Sequence, residues 1–203
     1  MPEQFKAHAA LILVSFVYGG NYSIAKIAMD ADLPPLAFIL LRVIAGLLLF
    51  WVFHILFIRE KVERKDFGRI FLCAVFGIAL TQMLAFTGLH YTTPINAALI
   101  TTTVPILVLV ISAIMLGEAI TGRKILGIFL GAVGAIALIA YGKDIQFARN
   151  QTFGNILVVC NSTAFAIYLV LVKTLMRKYH PFTVIKWMFT FGIVLVLPFG
   201  LRD

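Results

Sequence analysis

The chain has 203 residues, of which 62% are hydrophobic and only 13% charged, and its mean hydropathy is +1.02. A soluble domain carries about 25% charged residues, so this composition excludes a soluble globular protein and leaves an integral membrane protein. The net charge of +8 sits mostly in short loops between apolar runs, where the positive-inside rule accounts for it. No basic stripe with interleaved aromatics points to nucleic acid.

Seven apolar runs are long enough, or nearly so, to cross a bilayer core about 30 Å thick at 1.5 Å of helical rise per residue. They cover residues 9–28, 36–57, 70–89, 95–116, 125–141, 155–174 and 182–201. The first is too long for a signal-peptide core and lacks a small-x-small cleavage site, so it reads as a retained helix. Tyr18, Gly19, Gly20, Asn21 and Tyr22 interrupt it with small and polar groups, which serve either helix packing or a cavity wall. Lys26 lies near its end, where a long side chain snorkels or stands at the mouth of a pathway beside an acid such as Asp30.

Arg42 lies about 9 Å inside the second run by helical rise. A charge at that depth faces the bundle interior or a wet cavity. It reads either as a cation that attracts a carboxylate-bearing solute or as a structural donor to backbone carbonyls. Further along, Gln82, Asn96, Thr101–Thr103, Asn161 and Tyr168 place polar groups inside later runs, as helix glue or cavity lining. Pro105 removes a backbone donor from the fourth run and frees a carbonyl, which suits a hinge, a cavity wall or a fixed kink. Glu118, the acid of the following turn, is expected to bond nearby amides or the adjacent Arg123 and Lys124. Gly127, Gly131 and Ala135 have small-xxx-small spacing, which permits close helix packing. Cys73 and Cys160 have no ligand-like neighbours and read as two buried small hydrophobes, so no metal is expected. His8, His54, His90 and His180 fall near run ends or in loops without metal-ligand spacing.

The loops alternate in charge. Ten Lys and Arg collect on one side, counting Lys6, and two, Lys143 and Arg149, on the other. The basic side and the amino terminus are therefore expected to be cytoplasmic. An ungapped self-comparison sets Ser15 over Ser162, Tyr18 over Phe165, Lys26 over Lys173 and Pro34 over Pro181. The offset is five helices, an odd number, so the two copies are expected in opposite orientations, an architecture of many secondary transporters.

The stretch from Pro94 to Tyr141 also carries a family resemblance. Pro105 in one helix, then Leu116-Gly117-Glu118 with Thr121, then Gly127, Gly131 and Gly134 together resemble the EamA domain of the drug/metabolite transporter superfamily. The resemblance implies an all-α, multi-pass helical bundle of two inverted five-helix repeats. Residues 1–142 would form the first repeat, 143–153 a connecting loop and 154–203 the start of an incomplete second, as if truncated after the seventh helix. It further implies a secondary-active or facilitative transporter of small metabolites such as amino acids, with export common, in the bacterial inner membrane. In that family the first helix lines the central cavity, which makes Tyr18 and Asn21 substrate-binding candidates beside Arg42, Gln82, Asn96 and Tyr168. Lys26, Pro105 and Lys173 are the gating or pathway-mouth candidates, and Glu118 a structural turn.

Other readings compete. No HExxH, GxSxG or paired intramembrane acids mark an enzyme, and no Walker A sequence marks ATP as direct energy source. No cofactor is expected. A non-transporting membrane scaffold remains the alternative. Beyond a solute and the lipid bilayer, a second copy of the chain is a further expected partner.

Overall fold

The computed structural model describes residues 8, 12–13, 16, 35–58, 60–140 and 151–200, with backbone alone at 35–36, 135–136, 138–140 and 200. Most of the first apolar run, with Tyr18, Asn21 and Lys26, and the fifth-loop Lys143 and Arg149, lie outside the described residues.

All described regular structure is helical. Helix α1 covers Pro35–Phe53 and runs into a π-helical turn, His54–Ile58. A 3-10 turn, Arg64–Asp66, leads into α2, Phe67–Ala74, then a π-helical segment, Val75–Leu80, and α3, Thr81–Tyr91. Helices α4 (Pro94–Thr101) and α5 (Val104–Leu116) divide the fourth apolar run. Then come α6 (Gly122–Ala140), α7 (Thr152–Met176) and α8 (Pro181–Gly200). Five of the described stretches are long and apolar enough to cross a membrane: Ala37–Ile58, Arg64–Tyr91, Pro94–Leu116, Thr152–Met176 and Pro181–Phe199. This is a multi-pass helical membrane protein.

Local chemistry fixes the boundaries. Pro94 and Pro181 open their helices, where the missing amide hydrogen would be unused anyway. The Thr93 hydroxyl caps α4 by accepting the Asn96 amide at 3.2 Å. Gly117 closes α5 in the left-handed conformation, φ 65°. At the α4–α5 break, Pro105 cannot donate, and the chain leaves α-helical geometry at Thr102 and Thr103. Three hydroxyls bond back to the preceding turn, whose carbonyls also accept the Thr102 and Thr103 amides: Thr101 donates to Ala98 at 2.8 Å, Thr102 to Leu99 at 2.7 Å and Thr103 to Ile100 at 2.7 Å.

The α2–π–α3 rod is central. Helices α7 and α8 follow each other in sequence yet scarcely touch: α7 packs mainly against this rod and also on α5, while α8 packs on both the rod and α1. The largest buried cluster joins Ile39 and Val43 of α1, Ile70, Cys73 and Ile78 of the rod, Leu175 of α7, and Val184, Met188 and Val196 of α8. Glycines sit where elements press together: a Cβ on Gly46 would meet the Phe189 ring, and one on Gly192 the Ile78 side chain. By contrast Gly127, Gly131 and Gly134 of α6 have no described atom within 4 Å of such a Cβ. The close packing expected there is not seen among the described residues. Cys160 corrects the other packing expectation, because it is exposed while Cys73 is buried. In a bilayer an apolar thiol facing outward needs no protein cover.

Candidate functional site

A cavity of about 450 Å³ opens where α1, the rod, the α4–α5 break and α7 converge. Arg42 enters from α1, seven residues after its start, and Thr101 from α4, also seven residues in. Gln82 lies nine residues before the end of α3, and Asn161 nine after the start of α7. At 1.5 Å per residue these groups stand roughly 10–14 Å below one set of helix ends, near the middle of a bilayer core about 30 Å thick.

The walls owe their shape to irregular backbone. The π segment widens the rod beside Gly77 and Thr81, and the break exposes Thr101, Val104 and Pro105. Irregular backbone at membrane depth is tolerated where it lines a cavity, and π segments gather at functional sites. The polar lining is concentrated. Arg42 is exposed to the cavity, its guanidinium carbon 6.0 Å from the Phe86 ring centroid. Asn161 and Ser162 are buried, and among the described residues Asn161 Oδ1 and Ser162 Oγ have no hydrogen-bond partner. A guanidinium in a mid-depth cavity, with two buried, unpaired oxygens in the residues of its wall, suits a polar solute with an anionic end.

Of the residues singled out by sequence, the structure brings Arg42, Gln82, Thr101, Pro105 and Asn161 together on this cavity. Asn96 and Tyr168 are not among its lining residues. Asn96 is buried at the start of α4, and its amide donates to Gln151 Oε1 at 2.8 Å. Tyr168 presses its ring against Gly77, the opposite side of the cavity wall. Lys173 pairs with Glu118, which Lys124 also approaches at 4.0 Å. The Glu118 carboxyl is held below its usual range by the bond from Lys173 first and the Ser112 hydroxyl second.

The two ends of the bundle are each tied. At the end nearer the cavity, α3 and α7 cross so closely that Gly88 and Gly154 face one another. The Thr92 hydroxyl donates to Asn155 Oδ1 at 2.6 Å beside this crossing. At the other end, residues 60–66 are laced to the α7–α8 turn. The ammonium of Lys178 bridges Glu63 at 2.8 Å and Asp66 at 2.6 Å. Tyr179 donates to Asp66 at 2.7 Å and accepts the Glu63 amide at 3.1 Å, while the His180 amide donates to Glu60 at 2.9 Å. Asp66 and then Glu63 hold the Lys178 ammonium above its ordinary range. Lys178 and then Lys65 hold the Glu63 carboxyl below its own.

One residue escapes the sequence reading. Lys186, within α8, is buried, its ammonium 4.5 Å from the Trp51 ring centroid and 4.9 Å from that of Trp187. Trp51 is in turn oriented by donating to the Thr190 hydroxyl at 3.0 Å. The available signal was a lone lysine inside an otherwise apolar run, next to a tryptophan.

Comparison with known proteins adds ancestry to this geometry. Residues 5–140 match the EamA-like transporter family. An uncharacterized transporter of Archaeoglobus fulgidus is 28% identical over 200 residues, 98% of this chain and 68% of its own length. An S-adenosylmethionine/S-adenosylhomocysteine transporter of Chlamydia muridarum is 31% identical over 134 residues, 65% of this chain and 42% of its own. A solved crystal structure shares the fold, with a TM-score of 0.68 at 17% identity, over 88% of this chain and 64% of that one. The chain thus spans about two thirds or less of the length of the relatives it matches.

Proposed function

The chain belongs to the EamA-like transporter family, and from that premise we propose that it is a carrier, not an enzyme, for small polar metabolites of the amino-acid type. The observation that supports this is the mid-depth cavity holding Arg42 beside the unpaired Asn161 Oδ1 and Ser162 Oγ. Arg42 receives the solute carboxylate, since a guanidinium matches it with two parallel hydrogen bonds. The ammonium end lies toward the wall formed by Asn161 and Ser162, and Gln82 and Thr101 complete the polar lining. The Chlamydia muridarum relative is named for two solutes that end in an α-amino acid, which agrees with this class.

Transport proceeds by alternating access between inverted repeats, with the site near the midplane. Export from the cytoplasm is the direction we favour. The excess of Lys and Arg in the loops around residues 60–66 and 177–180 supports a cytoplasmic position for those residues, in the inner membrane, with the Gly88–Gly154 crossing outside. Lys173, with Lys26, guards the pathway mouths, and Pro105 lets the cavity wall bend.

Counterflow of labelled amino acids into proteoliposomes tests the reading, with membrane insertion checked for each variant. Arg42→Ala removes charge-assisted hydrogen bonds worth about 1.5–3 kcal/mol, so KM for a transported solute rises roughly 10- to 100-fold. Flux by Arg42→Ala at the original KM removes the assigned site. Absence of flux for every amino-acid-like solute by the inserted protein favours the scaffold alternative.

A further inference from the structure

A second concavity, of about 500 Å³, lies between α5, α6 and α7 on the far side of Pro105 from the transport cavity. Its floor is apolar, formed by Val108, Leu109, Ile128, Leu169 and Val170. Its rim is cationic: Arg123 and Lys124 come from the first turn of α6 and Lys173 from the last turn of α7, against the single carboxylate of Glu118. Among the described residues no carboxylate pairs with Arg123, whereas Lys124 and Lys173 share Glu118. On their other faces α5 and α6 expose apolar side chains, with Ile114 77% and Phe129 62% exposed, as lipid-facing helices do. The rim sits where the membrane-length stretches Pro94–Leu116 and Thr152–Met176 end, at the level of lipid headgroups.

We propose that this groove holds one anionic phospholipid, its phosphate against Arg123 and Lys124 and the start of its acyl chains on the apolar floor. Basic pockets between transmembrane helices at the cytoplasmic end recognise anionic headgroups in this way. A dissolved phosphate ion would leave the apolar floor uncovered. A choline headgroup would set its own cation against Arg123. A lipid with net negative charge satisfies both halves, and it enters sideways from the bilayer. The inference rests on the membrane placement of α5–α7 and is independent of the transport reading.

The test titrates dioleoyl-phosphatidylglycerol into the purified protein in a neutral detergent and follows the thermal unfolding midpoint. The expected result is saturable stabilisation absent with dioleoyl-phosphatidylcholine. Arg123→Gln with Lys124→Gln should weaken the apparent phosphatidylglycerol affinity about tenfold or more, while Lys61→Gln with Lys65→Gln leaves it unchanged. Native mass spectrometry of the unmodified protein supplies a readout without variants: one phosphatidylglycerol retained through detergent exchange, phosphatidylcholine not retained. Equal stabilisation by phosphatidylcholine, an equal effect of inorganic phosphate, no retained lipid, or undiminished affinity in the Arg123/Lys124 double variant would each overturn the proposal.

Discussion

The crossing of α3 and α7 allows a quantitative test. A Cβ built on Gly154 stands 2.7 Å from the carbonyl carbon of Tyr91, 2.8 Å from the Thr92 nitrogen and 2.9 Å from the Gly88 oxygen. All three are backbone atoms, so no side-chain rotation relieves the clash. Ordinary contact begins near 3.4 Å, so Gly154→Ala forces the helices apart by about 0.7 Å. Overpacking of this kind costs about 1–3 kcal/mol. The same separation stretches the 2.6 Å Thr92–Asn155 hydrogen bond, whose net worth is about 0.5–1.5 kcal/mol. The expected loss is therefore about 2–4 kcal/mol, read as a shift of the reversible unfolding curve in mixed micelles. Gly68→Ala is the control, because a Cβ there has no neighbour within 4 Å. An alanine in that helix should be neutral or stabilising by up to about 1 kcal/mol. If Gly154→Ala unfolds with the unmodified protein, within about 0.5 kcal/mol, the close crossing is not what holds α3 to α7.

Two further outcomes follow from charged groups. Lys186→Met should match or exceed the parent in unfolding stability, since an apolar residue of similar volume avoids burying a charge. Lys186→Ala should lose about 2–4 kcal/mol by leaving a void between Trp51 and Trp187; equal stability of the two variants would show that the lysine stem does not fill that space. The residue 60–66 tie should weaken in acid. The Glu63 carboxyl lies below its ordinary 4.5, so its contribution is complete above that value and lost as pH falls through the depressed one. Lys178, raised above its ordinary 10.5, contributes fully below that value and loses its share only as pH rises through the raised one. The thermal midpoint should therefore plateau from about pH 5 to 10 and drop below about pH 4. Lys178→Met should flatten that acid drop, and an unchanged drop would assign it to other carboxylates.

For the five membrane-length stretches among the described residues, hydropathy alone located the ends to within about six residues, because a 30 Å apolar slab imposes a length that no packing detail overrides. Pro105 announced the break in the fourth run for an equally local reason, the missing donor. Arg42 and Gln82 stood out because polar groups at depth need a reason to be there. What sequence left hidden depends on neighbours. The π segment over Val75–Leu80 lies between α7 and α8, with the Tyr168 ring close on Gly77 and Gly192 close on Ile78, and nothing in its apolar residues marks it. Small-residue spacing drew attention to Gly127 and Gly131, yet the tight contacts fall at Gly46, Gly88 and Gly154, because spacing states that close approach is possible and not where a partner lies. Asn96 and Arg42 looked alike as polar residues within runs. Between one and two turns of helix separate an end-tie from a cavity group, and boundaries read from sequence are uncertain by about 2–4 residues.

The α4–α5 break has a mechanical consequence. Above it, α4 is fastened to the start of α7 through Asn96 and Gln151; below it, α5 leads into Glu118, fastened to Lys173 near the end of α7. A rigid rod of 23 residues would act as a lever, and prising open one end would swing the other. With the intrahelical ladder interrupted before Pro105, torque applied at one end is absorbed at the joint. The two end ties can then be released one at a time, as the proposed alternating access requires.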